Sequence, residues 1–159
     1  MRGSAGVTAS AGSAASSQAV AALQNALAAE QAASYGYGVV GGRLPQGSSA
    51  QAAAGTDWQA HVRARDGLTQ LIRAHGATPT PTAVAYRLPF PVNSPADAKT
   101  LAATLEDRVA AAYLGLVALT DAALRSFGAD QVRAAALRAE AWRGTTEAFP
   151  GLPANSLNH

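Results

Sequence analysis

The sequence predicts an all-α protein folded as a four-helix bundle. Alanine makes up about a quarter of the 159 residues, and alanine has the highest intrinsic helix propensity. Apolar residues recur at three- and four-residue steps in four separate stretches, the period of a helix with one buried face. Serine, glycine and proline fall between those stretches, where helices start and stop.

The first helix is expected over residues 17–40, with Val20, Leu23, Leu27, Glu30, Ser34 and Tyr37 on one face. Gly41-Gly42 and then Pro45 end it. Gly36 and Gly38 lie near its end. Glycine there costs about 1 kcal/mol relative to alanine, so the pair implies close packing by a neighbour or early fraying. The second helix is expected over 49–75, with Trp58, His61, Arg65, Leu68 and Ile72 on one face. Gly76 suits the C′ position and Pro79 lies beyond it. His75 suits a capping role at that helix end.

Residues 77–93 carry Pro79, Pro81, Pro89 and Pro91. This connection is too long for a tight helical hairpin. It is expected to run extended across the bundle, anchored by Tyr86, Leu88 and Phe90. Ser94 is the expected N-cap of the third helix, with Pro95 at N1 and Asp97 in the first turn. That helix is expected to reach residue 127 and stop at Gly128, with Ala102, Glu106, Val109, Tyr113 and Leu116 sharing a face. The fourth is expected over 130–148, with Val132, Ala136, Glu140 and Arg143 on one face, ended by Phe149-Pro150-Gly151-Leu152-Pro153. Residues 1–16 are expected to form a disordered N-terminal segment. Residues 17–153 form one bundle domain, and 154–159, including His159, a flexible tail. A long crossover between helices two and three is the ferritin-like arrangement of a four-helix bundle.

The absence of cysteine excludes disulfides, thiolate metal sites, iron–sulfur clusters and a cysteine nucleophile. The formal charge is only +2 and the basic residues are scattered, so no nucleic-acid patch is indicated. No apolar stretch reaches membrane-spanning length, and residues 1–16 lack the apolar run of a signal peptide. The expectation is a soluble, cytoplasmic protein without nucleic-acid or membrane partners. Alanine-rich helices with a glycine-rich end and scattered tryptophans suggest an exposed apolar face, hence a homodimer through helices one and two.

The chain has four glutamates. Glu30, Glu106 and Glu140 fall on the apolar faces of three different helices, and His61 falls on the face of the fourth. Charged side chains are seldom buried without partners. A ferritin-like di-metal centre takes one Glu from each of two helices and Glu-x-x-His from each of the other two. Glu30 and Glu106 match the lone carboxylates. Helix two instead reads Trp58-Gln59-Ala60-His61, and helix four reads Glu140-Ala141-Trp142-Arg143. Two of the six ligands are replaced, and an arginine, permanently charged, stands where a histidine would.

Two readings follow. In the first, no cofactor binds. Glu30, Glu106 and Glu140 are satisfied by Arg65, Arg143, His61, Tyr37 and Tyr113 in an internal polar cluster, and the protein is a non-catalytic structural or binding module. In the second, Glu30, His61, Glu106 and Glu140 hold iron or manganese in an incomplete redox site. Neither reading assigns a catalytic residue, and no phosphate loop is indicated.

Several stretches together resemble a known family. They are Ala28-Ala29-Glu30-Gln31-Ala32 with Tyr35-Gly36-Tyr37-Gly38-Val39-Val40-Gly41, His61-Val62-Arg63-Ala64-Arg65-Asp66, Ala85-Tyr86-Arg87-Leu88-Pro89-Phe90-Pro91-Val92, Leu105-Glu106-Asp107-Arg108, Trp142-Arg143-Gly144 and Phe149-Pro150-Gly151-Leu152-Pro153. Over about residues 18–153 the chain resembles the actinobacterial ferritin-like domain of unknown function. The resemblance implies a ferritin-like bundle and no particular activity.

Overall fold

The computed structural model describes residues 5–144. Its elements are α1 (Ala5–Arg43), α2 (Ser49–Ala74), α3 (Pro95–Val117) and α4 (Ala122–Arg143). The expected helix terminator at 149–153 and the tail at 154–159 lie outside the described residues.

Each helix boundary has a local chemical cause. Ser48 caps α2 by accepting the Gln51 amide. Its far end is a Schellman turn: Ala77 N donates to Ile72 O, Gly76 N donates to Arg73 O, and Gly76 has φ +76°. The His75 ring also bonds the Leu71 carbonyl at 2.8 Å, so the expected capping role is met. At the start of α3, Ser94 and Asp97 form a reciprocal capping box with Pro95 at the first position. The expected anchors of the crossover also hold. Tyr86, Leu88, Phe90 and Val92 alternate towards the bundle along an extended strand of chain, while Gln24 and Gln31 of α1 tie down Thr78 and Thr80.

Three boundaries and faces differ from expectation. First, α1 is helical from Ala5, so residues 5–16 extend the helix instead of forming the expected disordered segment. Residues 12–18 are exposed. Second, α3 ends at Val117 and α4 begins after the N-cap Asp121. Gly128 is therefore not a stop. It lies inside α4, where an added Cβ would come within 2.8 Å of Leu116 Cβ and 3.1 Å of the Tyr113 carbonyl oxygen. Third, α4 buries Leu124, Gly128, Ala135 and Ala139, not the stripe through Ala136 and Glu140.

Helix α1 packs against α2 and α3, and α3 packs against α4. The fourth side, between α2 and α4, makes no extensive contact among the described residues. Helix α3, with neighbours on two sides, is buried around much of its circumference. Helix α2 packs extensively on α1 alone, so its buried stripe narrows to Ala54, His61, Leu68 and Ile72. Trp58, expected on that face, is 43% exposed. The core divides into two apolar clusters. One is centred on Leu23, Leu27, Leu68, Ile72, Val109 and Leu116, and the other on Tyr37, Val40, Leu101 and Leu105.

Candidate functional site: a buried ion-pair cluster

Glu30, His61 and Glu106 are fully buried between the two apolar clusters. His61 Nδ1 lies 2.6 Å from Glu30 Oε2, and its Nε2 lies 3.0 Å from Glu106 Oε1. Both neighbours are carboxylates and only accept, so both ring nitrogens donate and the ring is an imidazolium. Burial opposes that charge, but the hydrogen bonds and charges of Glu106 and Glu30 outweigh it and push the pKa up to about 9.

The two tyrosines brace this centre reciprocally. Tyr37 of α1 donates to Glu106 Oε1 of α3 at 2.6 Å, and Tyr113 of α3 donates to Glu30 Oε1 of α1 at 2.8 Å. Each tyrosine follows the glutamate of its own helix by about two turns. The crossed pairing therefore requires α1 and α3 to run antiparallel in this register. Burial and the adjacent carboxylates push both phenols well above their ordinary range, so they act as neutral donors.

The fourth charge comes from α4. Arg138 Nε donates to Glu106 Oε1 at 2.9 Å. Burial works to raise the Glu106 pKa, but His61 and Arg138 together pull it below the usual carboxylate range. Two carboxylates, one imidazolium and one guanidinium make the centre electrically balanced. Among the described residues, Glu106 Oε2 is buried without a hydrogen-bond partner. Asp57 stands at the edge, its Oδ2 accepting the Trp142 indole N–H at 2.9 Å. The Tyr37 hydroxyl is 3.4 Å from the same oxygen, but its single proton serves the shorter bond to Glu106. Burial raises the Asp57 pKa, the Trp142 bond lowers it, and the nearby Glu106 charge raises it further.

The structure thus joins Glu30, Tyr37, His61, Glu106 and Tyr113 as expected and leaves three expected members elsewhere. Arg65 pairs with Asp66 in a partly exposed bridge. Arg143 bonds Asp107. Glu140 is half-buried on α4, outside the hydrogen-bonded set around His61. All three follow from reading α2 with too wide a face and α4 in the wrong register. Arg138 and Asp57 were missed, although the sequence carries a signal for each. A stripe begun at Leu124 and Gly128 and stepped by three or four residues passes through Gln131, Ala135, Arg138 and Trp142. Asp57 precedes His61 by four residues, one helical turn on the same face. Among the described residues, no group of three or more His, Asp or Glu side chains is placed to hold a metal ion.

The fold and site define an all-α, four-helix protein with a balanced ion-pair layer at mid-bundle. Residues 22–154 match the family described as Domain of unknown function (DUF4439), and the chain belongs to that family. It is similar to the crystal structure of a conserved hypothetical protein, rv2844, from Mycobacterium tuberculosis, at 33% identity and a TM-score of 0.76, over 80% of this chain and 96% of that one. No curated protein matches the chain. No helix among the described residues is long and apolar enough to cross a membrane.

Proposed function

We propose that the protein is a ferritin-like bundle whose metal centre is replaced by the internal ion-pair cluster, and that it serves as a non-catalytic structural or binding module. The observation that carries this reading is the pair of cations, His61 and Arg138, already bonded to the two buried carboxylates. A metal ion would have to displace both and draw on a protonated histidine, whereas ligation needs the neutral ring. The residues do not fit a resident ion. Only Glu106 Oε2 remains open among the carboxylate oxygens of Glu30 and Glu106, and four to six donors are usual for zinc, iron or manganese.

That same open oxygen favours a second reading, a redox protein holding iron or manganese at Glu30, His61, Glu106 and Glu140. Elemental analysis decides between them, on protein purified without chelator and again after aerobic incubation with Fe(II). The cluster reading expects no iron, manganese or zinc above background. Near-stoichiometric metal that disappears in Glu30→Ala and His61→Ala would overturn it.

Assembly belongs to the same reading. Tyr35 of α1 and Trp58 of α2 are 38% and 43% exposed. Large exposed aromatic side chains on adjacent helices support a homodimer through α1 and α2.

A further inference from the structure

Where α2 and α4 fail to meet, the bundle holds an open pocket of about 520 Å³, within the range of small-molecule sites. Ala50, Ala53 and Asp57 line it from α2, and Leu137, Arg138 and Trp142 line it from α4. Ala50, Ala53, Leu137, Ala141 and Trp142 give it apolar walls, and Arg138 and Asp57 present polar groups from the outer edge of the buried cluster. Arg138 is fixed by its Nε on Glu106. Its terminal nitrogens make no hydrogen bond to a described residue, and its side chain is only 19% exposed. A guanidinium held in place with its planar end free is preorganised to bind a carboxylate. Lys99 of α3 adds a second positive charge at the pocket. Asp57 is likewise fixed through Oδ2 on the Trp142 indole, and among the described residues its Oδ1 has no hydrogen bond, which leaves one acceptor.

We infer that this pocket binds a small organic carboxylate with an apolar body and a hydrogen-bond donor at its far end. The carboxylate sits on Arg138, the body lies against Trp142, Ala53 and Leu137, and the donor meets Asp57. Glu106 and Asp57 both offset part of the Arg138 charge, so with Lys99 as the second cation the site suits a single negative charge better than a dianion. The inference goes beyond the reading above. It concerns the outer side of Arg138 and rests on that reading in one respect, because the Nε bond to Glu106 is what holds the guanidinium at the pocket.

The test titrates para-aminobenzoate into the isotope-labelled full chain and follows the Trp142 indole N–H resonance, assigned with Trp58→Phe. The expected result is a saturable shift in the high-micromolar to millimolar range. Uncharged para-aminobenzamide and inorganic phosphate should bind at least about tenfold more weakly. Arg138→Gln should abolish binding. Because that variant also disturbs the buried cluster, Ala53→Glu serves as the second. It adds a negative charge to the exposed wall and should weaken binding about tenfold with the melting temperature unchanged. No shift up to about 10 mM would overturn the inference. So would equal binding of the amide or of phosphate, or full affinity in a folded Ala53→Glu. Metal content of the same sample separates this outcome from failure of the cluster reading.

Discussion

Glu30 is enclosed completely, and both of its oxygens are committed, one to the Tyr113 hydroxyl and one to the His61 ring. Removing the carboxylate leaves a buried imidazolium with one counter-charge and a buried phenol without its acceptor. Breaking a buried pair from one side costs about 3–5 kcal/mol. Glu30→Ala should lose that much in urea unfolding, and a loss below about 0.5 kcal/mol would mean that Glu30 is solvated. The same cluster sets a pH dependence. The folded pKa of His61, about 9, lies above its ordinary 6.5, so its stabilisation is complete below about pH 6.5 and disappears as pH rises through about 9. Glu106 is shifted down, so its contribution is present above the usual carboxylate range and fades as pH falls through its lowered pKa. The melting temperature should therefore fall on the alkaline side from near neutrality. His61→Gln should flatten that limb, and an equally steep limb in the variant would remove His61 as its cause. At this scale the sequence reveals side chains that have no cheap alternative to pairing. Glu30, His61 and Glu106 stand out because charge on an apolar stripe demands a partner. Arg138 stands out only once α4 is set in the register of Leu124 and Gly128, because a long side chain reaches the core from the border of its helix and draws no notice in the register that runs through Glu140.

Glycine decides how closely the helices approach, and two positions separate the possible outcomes. At Gly128 an added methyl would meet Leu116 Cβ at 2.8 Å and backbone atoms of Tyr113 and Val117 at 3.1 and 3.2 Å. None of these atoms moves without shifting α3. At Gly36 the added methyl would strike the Leu105 side chain, Cδ1 at 2.5 Å, which can change rotamer. Alanine gains about 1 kcal/mol over glycine in helix propensity, and overpacking a fixed contact costs about 1–3 kcal/mol. Gly128→Ala should therefore be net destabilising, by up to about 2 kcal/mol, and Gly36→Ala should be closer to neutral. Thermal melts of both variants check the order, and equal effects would mean that α3 and α4 separate freely. The same contact explains why the element boundaries were only partly legible. Ser94-Pro95 and Gly76 act through local hydrogen bonds and a positive φ, so their meaning is contained in a few neighbouring residues. Gly128 acts through α3, so in isolation it resembles a helix stop. Taking it as one also moved the start of α4 from Ala122 to residue 130, which carried its expected face to Glu140.

At the scale of the whole molecule, three sides of the bundle are packed, and two aromatic residues are left exposed away from the core. The packed sides are α1–α2, α1–α3 and α3–α4. Helix α2 is sparsely covered, with four buried residues, as many as α4, against eleven on α3, and it carries Trp58 outward. Tyr35, on neighbouring α1, is also exposed and stacks on Tyr86 of the crossover, ring centres 5.7 Å apart. A second copy that covers α1 and α2 would remove both aromatics from water at roughly 25 cal/mol per Å² of apolar area. A stable symmetric pair needs about 800 Å² per partner, more than two aromatics supply, so the neighbouring alanine surface must join the contact. Light scattering at tens of micromolar should therefore give about twice the chain mass of 16.0 kDa. Trp58→Glu places a charge at the contact and should shift the protein to monomer while the helical circular-dichroism signal is kept. A monomeric mass for the unmodified chain would count against the dimer, and a Trp58→Glu dimer would move the interface off α2 to another face of the bundle.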